Sequence, residues 1–232
     1  MTGIDHPPSD DWRPPRPKVD PTPFLLELSG VEGPLDWSTV FGNDHPVAVE
    51  VGSGKGLFLQ NAAISDPSMN FVGVELAKKY ARTAAQRIAK RSLANVRVWP
   101  GDARLFLDKF VPVTSLSAVH VYFPDPWWKT RHKKRRVFAE PLVNNIERTL
   151  KPGGSLWIAT DVEEYFGVIQ ELMALRSRFS RRQISPPIEP AHELDYLTNF
   201  ERKYRIEGRP IYRAHYILDQ DDNGSVLTPA AI

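Results

Sequence analysis

The chain contains no cysteine, which excludes disulfide bonds, thiolate metal sites and any mechanism that uses a cysteine nucleophile. No apolar run approaches the roughly 18 residues that a membrane-spanning helix needs. The first 18 residues also lack the apolar segment that is typical of a secretory signal. With a hydrophobic content of 41%, these absences predict a globular cytoplasmic protein without a membrane partner.

The net charge is small, at +2, so the protein as a whole cannot attract a polyanion strongly. The basic side chains are nevertheless clustered along the chain. Residues 129–136 carry six of them, and no acid lies between Asp125 and Glu140. Residues 78–91 carry six more and no acid. Local clusters of this kind favour binding to nucleic acid.

Composition divides the chain into three parts. Residues 1–23 contain seven prolines and few apolar side chains, which predicts a flexible tail. Residues 24–219 have the length and apolar content of a single domain. Residues 220–232 are predicted to form a second flexible tail.

Apolar segments and helix-forming segments alternate along the central part. Strands are predicted at 47–51, 70–75, 96–99, 117–123, 155–160 and 211–218, and helices at 55–64, 78–91 and 136–150. A further helix is expected after Asp161, which would cap it. Its buried stripe comprises Val162, Tyr165, Phe166, Ile169, Leu172 and Met173. This alternation predicts an α/β domain with a mostly parallel sheet, whose ligands bind at the carboxyl ends of the strands.

A glycine turn and acidic residues follow successive strands. The turn after the first strand contains Gly52, Gly54 and Gly56. Glycines let the backbone approach a ligand closely, but Glu50 would repel a phosphate, so a cationic or amine-bearing cofactor is favoured. Glu75 ends the second strand and is placed to accept hydrogen bonds from a ribose diol. Asp102 follows the third strand, where it could accept from an adenine amino group.

The fourth strand ends abruptly at Pro124-Asp125-Pro126-Trp127, directly before the basic residues 129–136. Asp125 is a lone carboxylate beside aromatic side chains and positive charge. This combination suggests chemistry on an aromatic base that carries phosphate. Trp127 could provide a stacking surface for such a base.

The acids at the strand ends resemble those of class I S-adenosylmethionine-dependent methyltransferases, whose cofactor carries a sulfonium, an ammonium and a ribose diol but no phosphate. Within that superfamily the chain resembles the bacterial tRNA (guanine-N7-)-methyltransferases from about Leu35 to Leu218. The matching motifs are Phe123-Pro-Asp-Pro-Trp127 with Lys129, Arg131-His132-x-Lys134-Arg135-Arg136, Thr160-Asp161 and Thr198-x-Phe200-Glu201. The resemblance implies a Rossmann-like α/β fold with a mostly parallel, seven-stranded sheet and helices on both faces.

The resemblance also implies a function for each matching residue. The implied cofactor contacts are Glu50, Glu75, Asp102 and Asp125, the last of which is the catalytic residue. The implied substrate contacts are Lys129, Asp161, Thr198, Asn199, Phe200 and Glu201. The implied RNA contacts are Arg131, His132, Lys133, Lys134, Arg135 and Arg136. The implied reaction is methyl transfer from S-adenosylmethionine to N7 of a tRNA variable-loop guanine (nucleotide 46 in the family), by a monomer or homodimer.

The chemistry of the acceptor fits these residues. Guanine N7 has an in-plane lone pair and needs no general base, so the enzyme must align N7, methyl and sulfur and exclude water. Methylation moves positive charge onto the purine. Asp125 could stabilise that charge and accept from the guanine N1 or N2 donors. No proton-transfer role is expected for His120, and the scattered histidines predict no metal site.

Three other functions remain open from the sequence alone. The first is methylation of an exocyclic amine of RNA or DNA, because enzymes of that kind use a similar Pro- and Asp-containing turn. The second is a non-enzymatic RNA-binding module, which would be expected to lack the cofactor acids Glu50, Glu75 and Asp102. The third is methylation of a small molecule, which would not require the basic residues 129–136.

Overall fold

The computed structural model of the protein describes residues 19–126, 137–184 and 198–220. These ranges contain seven α-helices and seven β-strands, preceded by a 3-10 turn at Thr22–Phe24. In chain order they are α1 (Trp37–Phe41), β1 (Val47–Val51), α2 (Leu57–Ser65), β2 (Asn70–Glu75), α3 (Lys78–Ala89), β3 (Val96–Pro100), α4 (Ala103–Phe110), β4 (Leu116–Tyr122), α5 (Glu140–Thr149), β5 (Leu150–Thr160), α6 (Glu163–Ala174), β6 (Phe179–Arg182), α7 (Asn199–Ile206) and β7 (Tyr212–Leu218).

The strands form one sheet in the order β3-β2-β1-β4-β5-β7-β6. Strands β1 to β5 are parallel, and β7 runs antiparallel to both of its neighbours, β5 and β6. The predicted mostly parallel, seven-stranded α/β sheet is therefore confirmed. Because the chain order reverses at β1, a crevice is expected at the carboxyl ends of β1 and β4, which is where ligands bind in open sheets of this kind.

Apolar layers cover the sheet on both faces. Val49 and Val119 face a layer that includes α4, α5 and α6. Ala48 and Phe71, on alternate positions of their strands, face a layer formed by α2 and α3. All five residues of β1 are buried, as expected for a central parallel strand that is covered on both sides.

The start of α6 differs from the sequence prediction. Its apolar stripe is confirmed, since Tyr165 and Ile169 are fully buried. The N-cap, however, is Val162, and no side chain caps the helix. The prediction that Asp161 caps it is wrong, because the Asp161 carboxylate pairs with Arg209 instead.

Most of the two predicted tails, residues 1–18 and 221–232, lies outside the described residues. The helix predicted at 136–150 is observed as α5 from Glu140 to Thr149, with Ala139 as its N-cap. Within the described ranges no helix has the length and apolar character needed to cross a membrane.

Candidate active site

The turn after β1 takes a shape that depends on its glycines. Gly52, Gly54 and Gly56 have φ angles of 78°, 53° and 72°, a region that residues with a side chain rarely adopt. The Gly52 N–H donates to the Val74 carbonyl at 2.8 Å, which ties the turn to β2. A Cβ at Gly56 would lie only 2.8 Å from the Ala84 Cβ. The turn therefore also lets α2 and α3 approach closely.

Glu50 is a buried carboxylate on β1, directly before this turn. The residue is 4% exposed, and its Oε2 atom has no hydrogen-bond partner among the described residues. Burial, reinforced by the negative charge of Glu75, raises the pKa of Glu50 well above its usual value. A buried carboxylate without a partner is unfavourable. A cationic ligand beside the turn would stabilise its charged form.

Glu75 joins the glycine turn to the start of α3. Its Oε2 accepts from the Gly54 N–H at 2.9 Å, and its Oε1 accepts from the Ala77 N–H at 2.8 Å. Each carboxylate oxygen can accept more than one hydrogen bond. Glu75 is therefore held in a fixed orientation with acceptor capacity left for ribose hydroxyls.

Asp102 caps α4 at the end of β3. Its Oδ1 accepts from the Arg104 N–H at 2.8 Å, and its Oδ2 pairs with the Arg104 guanidinium at 2.7 Å. The hydrogen bond from the Arg104 side chain holds the pKa of Asp102 below its usual value. Asp102 is thus an ionised acceptor at the same edge of the sheet as Glu50 and Glu75.

Asp125 lies where the chain leaves the sheet after β4. The Phe123 N–H donates to the Ala159 carbonyl at 2.7 Å, and Phe123 has a φ of 50°, which is uncommon for a residue with a side chain. Pro124 is buried and Asp125 is exposed. The turn therefore presents the Asp125 carboxylate beside the ends of β4 and β5.

Two predicted substrate contacts at the start of α7 hold that helix in place. The Thr198 hydroxyl caps α7 by accepting from the Glu201 N–H at 3.0 Å. The Glu201 carboxylate, in a residue that is 3% exposed, accepts from Arg205 at 3.0 Å and from Arg213 at 2.6 Å. Glu201 thereby fixes α7 to β7. Asn199 is the first residue of α7.

Aromatic side chains connect α7 to the end of β4. The Phe123 ring lies 6.1 Å from that of Phe200 and 5.4 Å from that of Tyr204, between centroids. The Arg209 guanidinium carbon lies 4.2 Å from the Tyr204 ring centroid, and the guanidinium pairs with Asp161. Burial and the nearby charge of Asp161 raise the pKa of Tyr204.

Tyr204 and Arg209 were not predicted from the sequence. The spacing of Phe200 and Tyr204, four residues apart, was the available signal, because side chains at this spacing share one face of a helix. The pairing of Arg209 with Asp161 spans 48 positions and left no local signal.

The predicted RNA contacts at 131–136, together with Trp127 and Lys129, lie outside the described residues. In the other basic segment, Arg87 donates to the Lys55 carbonyl at 2.9 Å and Arg91 donates to the Gln60 side chain at 2.8 Å. These two arginines therefore tie α3 and the turn after it to the glycine turn and α2, as well as adding positive charge.

His120 shares a hydrogen bond of 2.9 Å with the Tyr122 hydroxyl. Burial lowers the pKa of His120 to about 3, so the imidazole is neutral at physiological pH. Among the described residues, no group of three or more His, Asp or Glu side chains could hold a metal ion.

Comparison with known proteins identifies the class of enzyme to which this fold and site belong. Residues 44–214 match the family model described as a putative methyltransferase. The structure of the 16S rRNA methyltransferase KamB has the same fold, with a TM-score of 0.54 at 13% identity over 79% of this chain and 93% of that one. The protein is therefore a methyltransferase by fold and family.

Its relatives define the family more narrowly. A tRNA (guanine-N(7)-)-methyltransferase of Rhodopirellula baltica is 42% identical over 218 residues, 88% of this chain and 78% of that protein. Another from Geobacter metallireducens is 34% identical over 197 residues, 84% of this chain and 92% of that protein. The chain belongs to the tRNA (guanine-N(7)-)-methyltransferase family.

Proposed function

We propose that the protein transfers a methyl group from S-adenosylmethionine to N7 of a guanine in the variable loop of tRNA, forming 7-methylguanosine. The observation that carries this proposal is the burial of the Glu50 carboxylate, whose Oε2 atom has no hydrogen-bond partner among the described residues. Glu50 lies beside the glycine turn at the position in the sheet where ligands of such folds bind. Family membership supplies the reaction, and this geometry supplies the reason for a cationic cofactor.

The described residues fit S-adenosylmethionine. Glu50 offers the negative charge that a sulfonium or ammonium requires, and the Ser53 hydroxyl is also buried without a partner there. Glu75 has acceptor capacity for the ribose hydroxyls, and the ionised Asp102 can accept from the adenine amino group. When bound, the cofactor supplies an electrophilic methyl group on a sulfonium.

The protein needs to position the acceptor base but does not need to deprotonate it. Guanine N7 is already a nucleophile, so the rate depends on alignment and on exclusion of water. The exposed Asp125 carboxylate, at the edge that carries Glu50 and Glu75, stabilises the positive charge that develops on the purine. The basic residues 131–136 contact tRNA phosphates, which position the RNA without reading its sequence.

The test is incubation of the purified protein with isotopically labelled S-adenosylmethionine and unmodified tRNA transcripts. Nuclease digestion followed by mass spectrometry then maps the methyl group to its base and atom. We expect N7-methylguanosine in the variable loop, and no product from a transcript in which that guanine is replaced by adenine. Methylation of an exocyclic amine would support the alternative enzyme, and absence of any product would exclude both.

The proposal places the protein in the cytoplasm, where tRNA is modified. A chain without cysteine is compatible with that reducing compartment. It acts as a monomer or a homodimer. Light scattering of the purified protein, with and without tRNA, distinguishes these two states.

A further inference from the structure

Arg209 is held by four contacts at the acceptor side of the site, one of which is an ion pair of 3.8 Å with the Glu207 carboxylate. Its N–H donates to the Tyr204 carbonyl at 2.8 Å, which fixes its backbone after α7. Its guanidinium pairs with the Asp161 carboxylate, whose side chain is only 8% exposed. The guanidinium carbon also lies 4.2 Å from the Tyr204 ring centroid. A planar cation with parallel N–H donors therefore contacts both a carboxylate and an aromatic ring.

The groups that hold Arg209 are also those that bind guanine. The Watson–Crick edge of guanine presents N1–H and N2–H donors side by side, as a guanidinium does, and a carboxylate accepts both. Purine rings stack on tyrosine rings, as arginine side chains do. Enzymes that act on an extruded base read it through this edge and by stacking. Asp161 and Tyr204 together therefore form a subsite that suits guanine.

We propose that Arg209 occupies the guanine subsite of the substrate-free protein and that the acceptor base displaces it from Asp161 and Tyr204. The inference rests on the proposed function and deepens it by naming a residue that controls access to the site. In this arrangement Asp161, rather than Asp125, accepts from N1 and N2. The N7 atom lies on the opposite edge of the purine and stays available for methyl transfer.

The position of this subsite agrees with such a role. Asp161 directly follows β5, and Phe123, at the end of β4, lies 5.4 Å from the Tyr204 ring between centroids. The 2.7 Å hydrogen bond from the Phe123 N–H to the Ala159 carbonyl joins the two strand ends. The subsite is therefore beside the turn that carries Asp125.

Removal of Arg209 tests the proposal because the two possible roles predict changes of opposite sign. A side chain that must leave raises the apparent Kd of the substrate by the reciprocal of the fraction of time for which the site is empty. The Arg209 side chain is half-exposed and forms ion pairs and a cation–π contact, which together are weak. Removal of this side chain should therefore lower the KM for tRNA about five- to tenfold. A phosphate-binding or supporting arginine would instead raise that KM when removed.

The experiment compares Arg209→Ala with Arg178→Ala, a matched control. The two side chains are 42% and 40% exposed, and both pair with acids: Arg178 with Glu147, and Arg209 with Asp161 and Glu207. Both variants lose one positive charge, so a general loss of attraction to RNA appears in both. We expect a lower KM for tRNA in Arg209→Ala alone, with kcat and the KM for S-adenosylmethionine unchanged. An unchanged or higher KM for tRNA in Arg209→Ala would overturn the proposal.

A second measurement does not depend on turnover. Titration with GMP, followed by ligand-observed NMR, should show binding to Arg209→Ala that is about five- to tenfold tighter than to the wild type. AMP should show a smaller gain than GMP, because adenine can stack on Tyr204 but lacks the paired donors, and Asp161→Asn in the Arg209→Ala background should reduce the gain for GMP to that for AMP. Arg209→Gln serves as a second variant if the alanine variant does not fold.

The two proposals fail in distinguishable ways. If the proposed function is wrong, the wild-type protein leaves no methyl group on N7 of tRNA. If the displacement of Arg209 is wrong, GMP binds wild type and variant equally, whatever the methylation result.

Discussion

Replacement of Glu50 by glutamine tests whether its carboxylate is needed for ligand binding or for the stability of the fold. The substitution preserves the shape of the side chain and removes only its charge. Glu50 is buried and its Oε2 has no partner among the described residues. We therefore expect Glu50→Gln to make the cofactor-free protein more stable and to weaken the binding of S-adenosylmethionine.

The sign of the stability change follows from the pKa of Glu50. That pKa is raised in the folded protein above the 4.5 of an ordinary glutamate, so folding favours the protonated form. The wild-type protein therefore loses stability as the pH rises from the ordinary pKa through the raised one. Glutamine does not titrate, so this loss is absent from the variant. The free energy of unfolding of Glu50→Gln should exceed that of the wild type by about 1–2 kcal/mol at neutral pH and by almost nothing near pH 4.

The size of the binding change follows from the charge that is removed. A hydrogen bond to a charged group contributes about 1.5–3 kcal/mol, which corresponds to a Kd for S-adenosylmethionine that is roughly 10- to 150-fold higher in Glu50→Gln. Binding to the wild type should also release a proton, because the cation draws Glu50 into its charged form. The affinity of the wild type therefore rises with pH, and that of the variant does not.

Calorimetry and thermal unfolding measure these quantities. Binding enthalpies in two buffers of different ionisation enthalpy report the released proton. The expected gain in stability raises the melting temperature by roughly 2–8 °C. Glu171→Gln, which changes an exposed acid of α6, is the control and should alter neither quantity. A less stable Glu50→Gln variant, or one that binds the cofactor as the wild type does, would refute the reasoning.

Three further substitutions have expected outcomes. Gly56→Ala combines a positive φ with a close contact to α3 and should lower the melting temperature by roughly 4–12 °C; Gly42→Ala, at a similar φ with open space around it, should lower it less. Asp125→Asn should lower kcat about 10²- to 10³-fold with little change in melting temperature, and kinetics near those of the wild type would contradict its role. Glu201→Gln should lower the melting temperature by roughly 5–10 °C, and unchanged stability would show that its arginine contacts do not hold α7.

The sequence predicted the central strands well because their apolar runs are continuous and sharply bounded. β1 and β2 begin and end at the predicted residues. A parallel strand that is buried on both faces has apolar side chains on both sides and ends at turn residues, so its limits are visible in the chain. β5 begins at Leu150, five residues before its predicted start, because Leu150 pairs with Leu116 of β4. The Lys-Pro-Gly-Gly segment then interrupts the register, and regular pairing resumes at Ser155.

The elements that the sequence did not predict are short or carry an ambiguous signal. β6 has the sequence FSRR and, within the described part of the chain, pairs with β7 alone. Short, charged edge strands lack an apolar pattern. α1 has only five residues, although Asp36 caps its start and Gly42 ends it. Asp102 follows β3 as either a ligand acid or a helix N-cap would, and the structure shows that it caps α4.

The candidate site was predictable where its residues are local in the chain. The glycine turn, Glu50 and Glu75 lie where the strand pattern placed them, and Glu75 contacts the turn directly. The ion pairs were not predictable, because Arg213 and Arg209 reach their acids only after α7 folds back onto the sheet. A sequence shows which residues carry charge, but the fold decides which charges meet.

Glu50 and Glu201 show why this distinction matters for function. They are 4% and 3% exposed, and burial alone would assign them the same role. Two arginines hold the carboxylate of Glu201, so its charge is compensated within the protein and stabilises the position of α7. Glu50 has Glu75 as its charged neighbour, which adds repulsion to the unfavourable effect of burial. Since the fold gains nothing from the charge of Glu50, the most direct reason to retain it is a cation that binds beside the glycine turn.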